Sequence, residues 1–150
     1  MSIFSTEQSL FLITCYGLIA GMSFIVGLRE TYSHNNPYGL TRWLLPYGIF
    51  VWGDAVIIGL FWTIASFLSV YLQNMQLFFI LQATYWIIRS AGEVLYWFLQ
   101  QFASVKRDPP HTLLGHELFP GESIWFAYQV GWQIVLVLAI VSLLYQLKLV

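Results

Sequence analysis

The sequence predicts an all-α integral membrane protein: one transmembrane domain over residues 1–150, built as an up-down four-helix bundle with both termini outside. Three observations lead to that expectation. The 150 residues are 59% hydrophobic and only 9% charged, far below the roughly 25% charged residues of an ordinary soluble domain. Apolar stretches recur at about 8–29, 43–71, 77–102 and 121–147, each supplying the ~20 residues needed to cross ~30 Å of hydrocarbon. The connecting segments are short, so no separate soluble domain fits between them.

Span one opens with Ser5 and Gln8 at capping-box spacing, runs apolar from Leu10 to Leu28 and stops at Arg29 and Glu30. Glu7 precedes it with no Lys or Arg, and no small-residue cleavage pattern follows, so it is expected to stay in the mature chain rather than act as a signal. Gly17 and Gly21 form a small-x-x-x-small pair, a helix-packing face for a neighbour in the bundle or in a second subunit. Asn35, Asn36, Pro37 and Gly39 then break the helix.

Span two is expected from Trp43 to Tyr71, with Pro46 in its first turn, Trp43 and Tyr47 at the membrane interface and Asp54 well inside. The Gln73–Gln76 segment has room only for a tight turn, with Asn74 as the cap of span three, so spans two and three are antiparallel neighbours. The longest polar loop, Ser104–Phe119, holds Lys106, Arg107, His111, His116 and Glu117 before span four. Tyr16-Gly17 followed by Gly21 and Gly27 resembles Tyr47-Gly48 followed by Gly53 and Gly59, but the match is mostly glycine and reads as coincidence.

The loops after spans one and three carry Arg29, Arg42, Lys106 and Arg107, whereas the opposite side offers only Lys148. The positive-inside rule therefore places those loops in the cytoplasm, and the chain is expected to be a multi-pass integral membrane protein, of the plasma (inner) membrane if bacterial. A net charge of −1 leaves no basic footprint for nucleic acid. Cys15 is the single cysteine, which rules out an intrachain disulfide. His111 and His116 stand five residues apart, a spacing that suits neither face of a helical metal pair, and no histidine lies within a span to ligate a haem. Neither a metal nor a cofactor is expected.

Span three holds the anomaly. Gln82, Arg89 and Tyr96 recur every seven residues, and so do Trp86, Glu93 and Gln100, which gives a helix one polar stripe on an apolar body. Counted from the cytoplasmic ends at ~1.5 Å per residue, Asp54, Arg89, Glu93, Gln129, Gln133 and Tyr16 all fall ~12–20 Å deep. Each mid-membrane charge costs about 2.5–3.5 kcal/mol if left to lipid, so the expectation is an inward cluster of Asp54, Arg89 and Glu93 with the two glutamines and Tyr16 around it. Two carboxylates against one guanidinium leave a surplus negative charge for a proton, cation or basic group to neutralise.

Three function classes follow from such a cluster. It handles a proton, an ion or a small ligand; or it is purely structural, in an accessory or assembly subunit of a larger membrane complex; or the chain is a small membrane-embedded enzyme. The expected partners are the lipid bilayer and either further copies of the chain or another membrane subunit.

Overall fold

A computed structural model describes residues 6–149, and of residues 42, 45 and 46 the backbone alone. Among the described residues the chain is all-helical: α1 (Thr6–His34), α2 (Trp52–Tyr71), α3 (Met75–Phe102) and α4 (Ser123–Gln146), with short 3-10 turns at Arg42–Tyr47 and Pro110–Thr112. Ser5, half of the expected capping box, lies outside the described residues. Three of the helices, α1, α2 and α4, are long and apolar enough to cross a membrane. The 28 residues of α3 are long enough but not apolar enough, because Gln76, Gln82, Arg89, Glu93, Gln100 and Gln101 interrupt them.

Contacts divide the chain into two compact units, one up to Phe79 and one from Ile80 onward. In the first unit α1 and α2 pack closely along their lengths. Small residues make that approach feasible. A Cβ built at Gly17 would lie 2.6 Å from Cβ of Ser66, one at Gly27 2.7 Å from Cβ of Ala55, and one at Gly59 2.9 Å from both the Ala20 carbonyl and the Phe24 nitrogen. Gly21 faces Thr63 less tightly, at 3.4 Å. As Gly17 meets Ser66 and Gly27 meets Ala55, the two helices run antiparallel. Around this seam Ile13, Ala20, Ala55, Ile58, Trp62 and Ala65 are buried.

Span two starts later than the sequence pattern implies, and the reason lies in the backbone. After α1 ends at Asn35 in the left-handed region (φ 47), the chain forms the 3-10 turn, reverses at Gly48 (φ 72) and pairs Leu40 with Val51 as an isolated bridge. Thr41 N–H donates to the Phe50 carbonyl at 2.9 Å, and its hydroxyl donates to the Ile49 carbonyl at 3.0 Å. The first N–H groups of α2, orphaned in any helix, donate to the loop: Trp52 to the Gly39 carbonyl at 3.0 Å and Gly53 to the Pro37 carbonyl at 2.8 Å. The apolar run over Trp43–Phe50 thus folds as an ordered loop, and Tyr47-Gly48 is not a second copy of the helical Tyr16-Gly17. Asn74 caps α3 by accepting the Leu77 N–H at 2.9 Å.

In the second unit the packing is aromatic. Trp97, Ile124 and Trp125 form a buried cluster, with Tyr96, Leu113, Tyr128 and Trp132 against it. Trp97 meets the Tyr128 ring at 4.7 Å, and Trp86 stacks on Trp132 at 6.5 Å.

Because the atoms facing Gly59 are backbone, they cannot rotate away. Gly59→Ala is expected to lower stability by about 1–3 kcal/mol through overpacking, whereas Gly92→Ala, with open space around it, should be neutral or stabilise by about 0.5–1 kcal/mol. Equal melting temperatures for the two variants in a detergent melt would refute the close α1–α2 seam.

Candidate functional site

Four residues of α3 spaced by four, Arg89, Glu93, Trp97 and Gln101, make a continuous polar ladder. Successive members lie one turn apart and rotate by about 40° per step, since four residues exceed the 3.6 of a turn. Arg89 Nη2 pairs with Glu93 Oε1 at 3.0 Å, and the Trp97 indole N–H donates to Glu93 Oε2 at 3.1 Å, so both carboxylate oxygens are engaged. One turn on, the Gln101 side-chain amide donates to the Trp97 carbonyl at 3.1 Å and to Gln129 Oε1 of α4 at 2.7 Å. The pair keeps side-chain exposures of 25% and 18%, too little for the weak, fully solvated kind of ion pair.

The ladder ends in a strapped loop. Lys106 donates from Nζ to the Gln100 carbonyl at 2.7 Å and the Gln101 carbonyl at 3.0 Å. These are last-turn carbonyls with no helical partner, at the end of the helix that favours a cation. The same ammonium sits 4.6 Å over the Trp125 ring. Gln100 Oε1 accepts the Arg107 N–H at 3.2 Å. Asp108 takes a hydrogen bond from the Tyr96 hydroxyl on its carboxylate and one from the Trp125 indole on its carbonyl, the latter at 2.9 Å.

The sequence-predicted residues fall in both units. Arg89 and Glu93 are together on α3. Gln129 is half-buried and bonded to Gln101, whereas Gln133 is exposed beside Ile134, Val137 and Leu138. Asp54 belongs to the first unit, in the first turn of α2, where its carboxylate accepts the Phe50 N–H at 3.1 Å. With the helix beginning at Trp52 rather than Trp43, the depth assigned to Asp54 no longer follows; it occupies the helix N-terminus, which favours a negative charge. Tyr16, also in the first unit, stacks on Tyr47 at 4.6 Å and meets Trp62 and Phe78 edge-on at 5.6 and 5.5 Å. Burial pushes the Tyr47 hydroxyl above its usual pKa, so it stays protonated. Gly17 and Gly21 face α2 inside the first unit.

Trp97, Gln101 and Lys106 are the participants that sequence reasoning missed. For Trp97 and Gln101 the signal is the four-residue spacing continued from Arg89 and Glu93; Lys106 lies beyond the end of α3 and off that spacing. His111 and His116 are both exposed, and among the described residues no group of three His, Cys, Asp or Glu gathers that could hold a metal ion. The chain matches no protein-family model, no curated protein and no solved structure.

The two glutamines of α4 provide a direct check on this arrangement. Gln129→Leu should cost about 0.6–1.7 kcal/mol, the range for interhelical hydrogen bonds in membranes, while Gln133→Leu should be neutral or stabilising because it exchanges an exposed amide for an apolar group on an apolar face. Thermal melts of both variants in lipid–detergent micelles measure the contrast, and equal shifts would contradict the Gln101–Gln129 bond.

Proposed function

We propose that the chain is a non-catalytic, membrane-embedded subunit whose polar ladder is an internal brace. In this reading all four helices span the bilayer in an up-down bundle, with the Arg29–Arg42 and Lys106–Arg107 loops cytoplasmic and both termini outside. The exposed apolar faces then meet lipid and the helices of a partner subunit or further copies of the chain. The observation behind it is that Arg89 and Glu93 neutralise each other one turn apart on a single helix, with the second carboxylate oxygen engaged by Trp97. A neutral pair lets α3 cross hydrocarbon at far lower cost than two separate charges. It also removes much of the need for a proton or cation, since Asp54 has a helix N-terminus and a backbone donor of its own.

A second reading, that the pair handles a proton or cation, draws on the residual exposure of both side chains. Reconstitution into proteoliposomes separates the two. The bracing reading expects proton and alkali-cation flux equal to that of empty vesicles for the parent and for Glu93→Gln. Flux above empty vesicles that Glu93→Gln abolishes would overturn it and establish the ion-handling role.

A further inference from the structure

Residues 40–51 make an excursion that the connection between α1 and α2 does not need. The turn after α1 already reaches α2, since the Trp52 N–H donates to the Gly39 carbonyl at 3.0 Å and the Gly53 N–H to the Pro37 carbonyl at 2.8 Å. The chain leaves this neck at Leu40 and returns to it at Val51, where the two residues pair as an isolated bridge. In between come the 3-10 turn at Arg42–Tyr47 and the reversal at Gly48.

The tip of the excursion sets its direction. Gly27 packs against Ala55 and the Trp52 carbonyl, so it marks the height at which α2 begins. Tyr16 lies ~16 Å from that height along α1 at 1.5 Å per residue, beside the Gly17 that faces Ser66 in the later part of α2. The Tyr47 ring nevertheless stacks on the Tyr16 ring at 4.6 Å. The four residues from Tyr47 to Val51 span at most ~13–14 Å, so this segment has to run extended beside the two helices for the ring to reach that depth. Measured from Arg29, which ends the apolar run of α1, Tyr16 is ~20 Å along the helix, well inside a hydrocarbon core ~30 Å thick. Non-helical backbone is tolerated there only where its polar groups are satisfied and covered by protein. Thr41 N–H donates to the Phe50 carbonyl at 2.9 Å, Thr41 hydroxyl to the Ile49 carbonyl at 3.0 Å, Ile49 N–H to the Leu44 carbonyl at 3.3 Å and Phe50 N–H to the Asp54 carboxylate at 3.1 Å. Thr41 and Ile49 are buried, whereas Trp43 points outward, 93% exposed.

We propose that residues 40–51 form a re-entrant loop, which dips into the bilayer from the side on which α1 ends and returns to the same side, with Trp43 as its contact with lipid acyl chains. The proposal requires that α1 and α2 cross the membrane, but neither the bracing role of the ladder nor the absence of ion flux. Its test uses the full chain in a Cys15→Ser background, reconstituted in phosphatidylcholine vesicles. Single spin labels are placed at Met22→Cys, on an exposed face within α1, at Asn36→Cys, in the exposed turn, and at Trp43→Cys. Relaxation by oxygen, which concentrates in hydrocarbon, is compared with relaxation by a water-soluble nickel chelate. The Trp43 label should follow the Met22 label, favouring oxygen over nickel several-fold relative to the Asn36 label. A second variant, Tyr16→Cys with Tyr47→Cys, should be joined within one chain by a short bis-methanethiosulfonate reagent, as read by peptide mass spectrometry.

A Trp43 label that follows the Asn36 label, with Met22 still favouring oxygen, would put the loop in water and overturn the proposal while leaving α1 in the bilayer. Failure of the 16–47 crosslink would overturn it as well, by removing the contact that sets the depth of the tip. A Met22 label that follows Asn36 would overturn it together with the membrane setting. A Trp43 label reached by neither relaxant would place protein over the loop and overturn its lipid contact.

Discussion

A polar group carried on an apolar helix has to find its partner nearby, and most of this structure follows from that constraint. The hydroxyls of Thr14, Ser23, Thr63, Ser69 and Ser90 each donate to the carbonyl four residues earlier, at 2.5–2.9 Å, so they need nothing from a neighbouring helix. Arg89 and Glu93 apply the same rule to charge, and Lys106 applies it to the carbonyls at the end of α3. Ser66 is an exception: its hydroxyl is buried without a hydrogen-bond partner, directly beneath Gly17 in the tightest part of the α1–α2 seam. There the close approach of the two helices prevails over satisfying one hydroxyl.

The two units solve the packing problem in opposite ways. In the first, glycine brings backbones together and dispersion between helix surfaces supplies the attraction, as lipid gives little hydrophobic drive for helix association. In the second, rings of Trp and Tyr hold α3 and α4 apart and fill the space between them. Indole and phenol groups then have room to reach polar partners, as Trp97 reaches Glu93, Trp125 reaches the Asp108 carbonyl and Tyr128 reaches the Leu114 carbonyl.

Much of this was legible in the sequence because hydrophobic run length and turn residues are local signals. The four helices, the Asn74 cap and the small-residue character of Gly17 and Gly21 needed no tertiary information. The start of α2 did, since Trp43–Phe50 is as apolar as a helix and only the reversal at Gly48 and the pairing of Leu40 with Val51 keep it out. That boundary changed the meaning of Asp54, from a mid-span charge to a first-turn one. On α3 the association of Arg89 with Glu93 was visible, but the seven-residue reading grouped Glu93 with Trp86 and Gln100, whereas the hydrogen bonds follow the nearer i, i+4 neighbours Trp97 and Gln101. Gln129 and Gln133 differ for a reason that no single helix reveals: Gln101 stands at the height of the first.

The account rests on Arg89 and Glu93 acting as one neutral unit, and a double-mutant cycle tests that most directly. Unfolding free energies of the parent, Arg89→Met, Glu93→Gln and the double variant would be measured in the same lipid–detergent mixture. The account predicts that each single change destabilises and that the double variant recovers much of the loss, giving a coupling of about 1–3 kcal/mol. Additive single effects, with no recovery in the double variant, would contradict it.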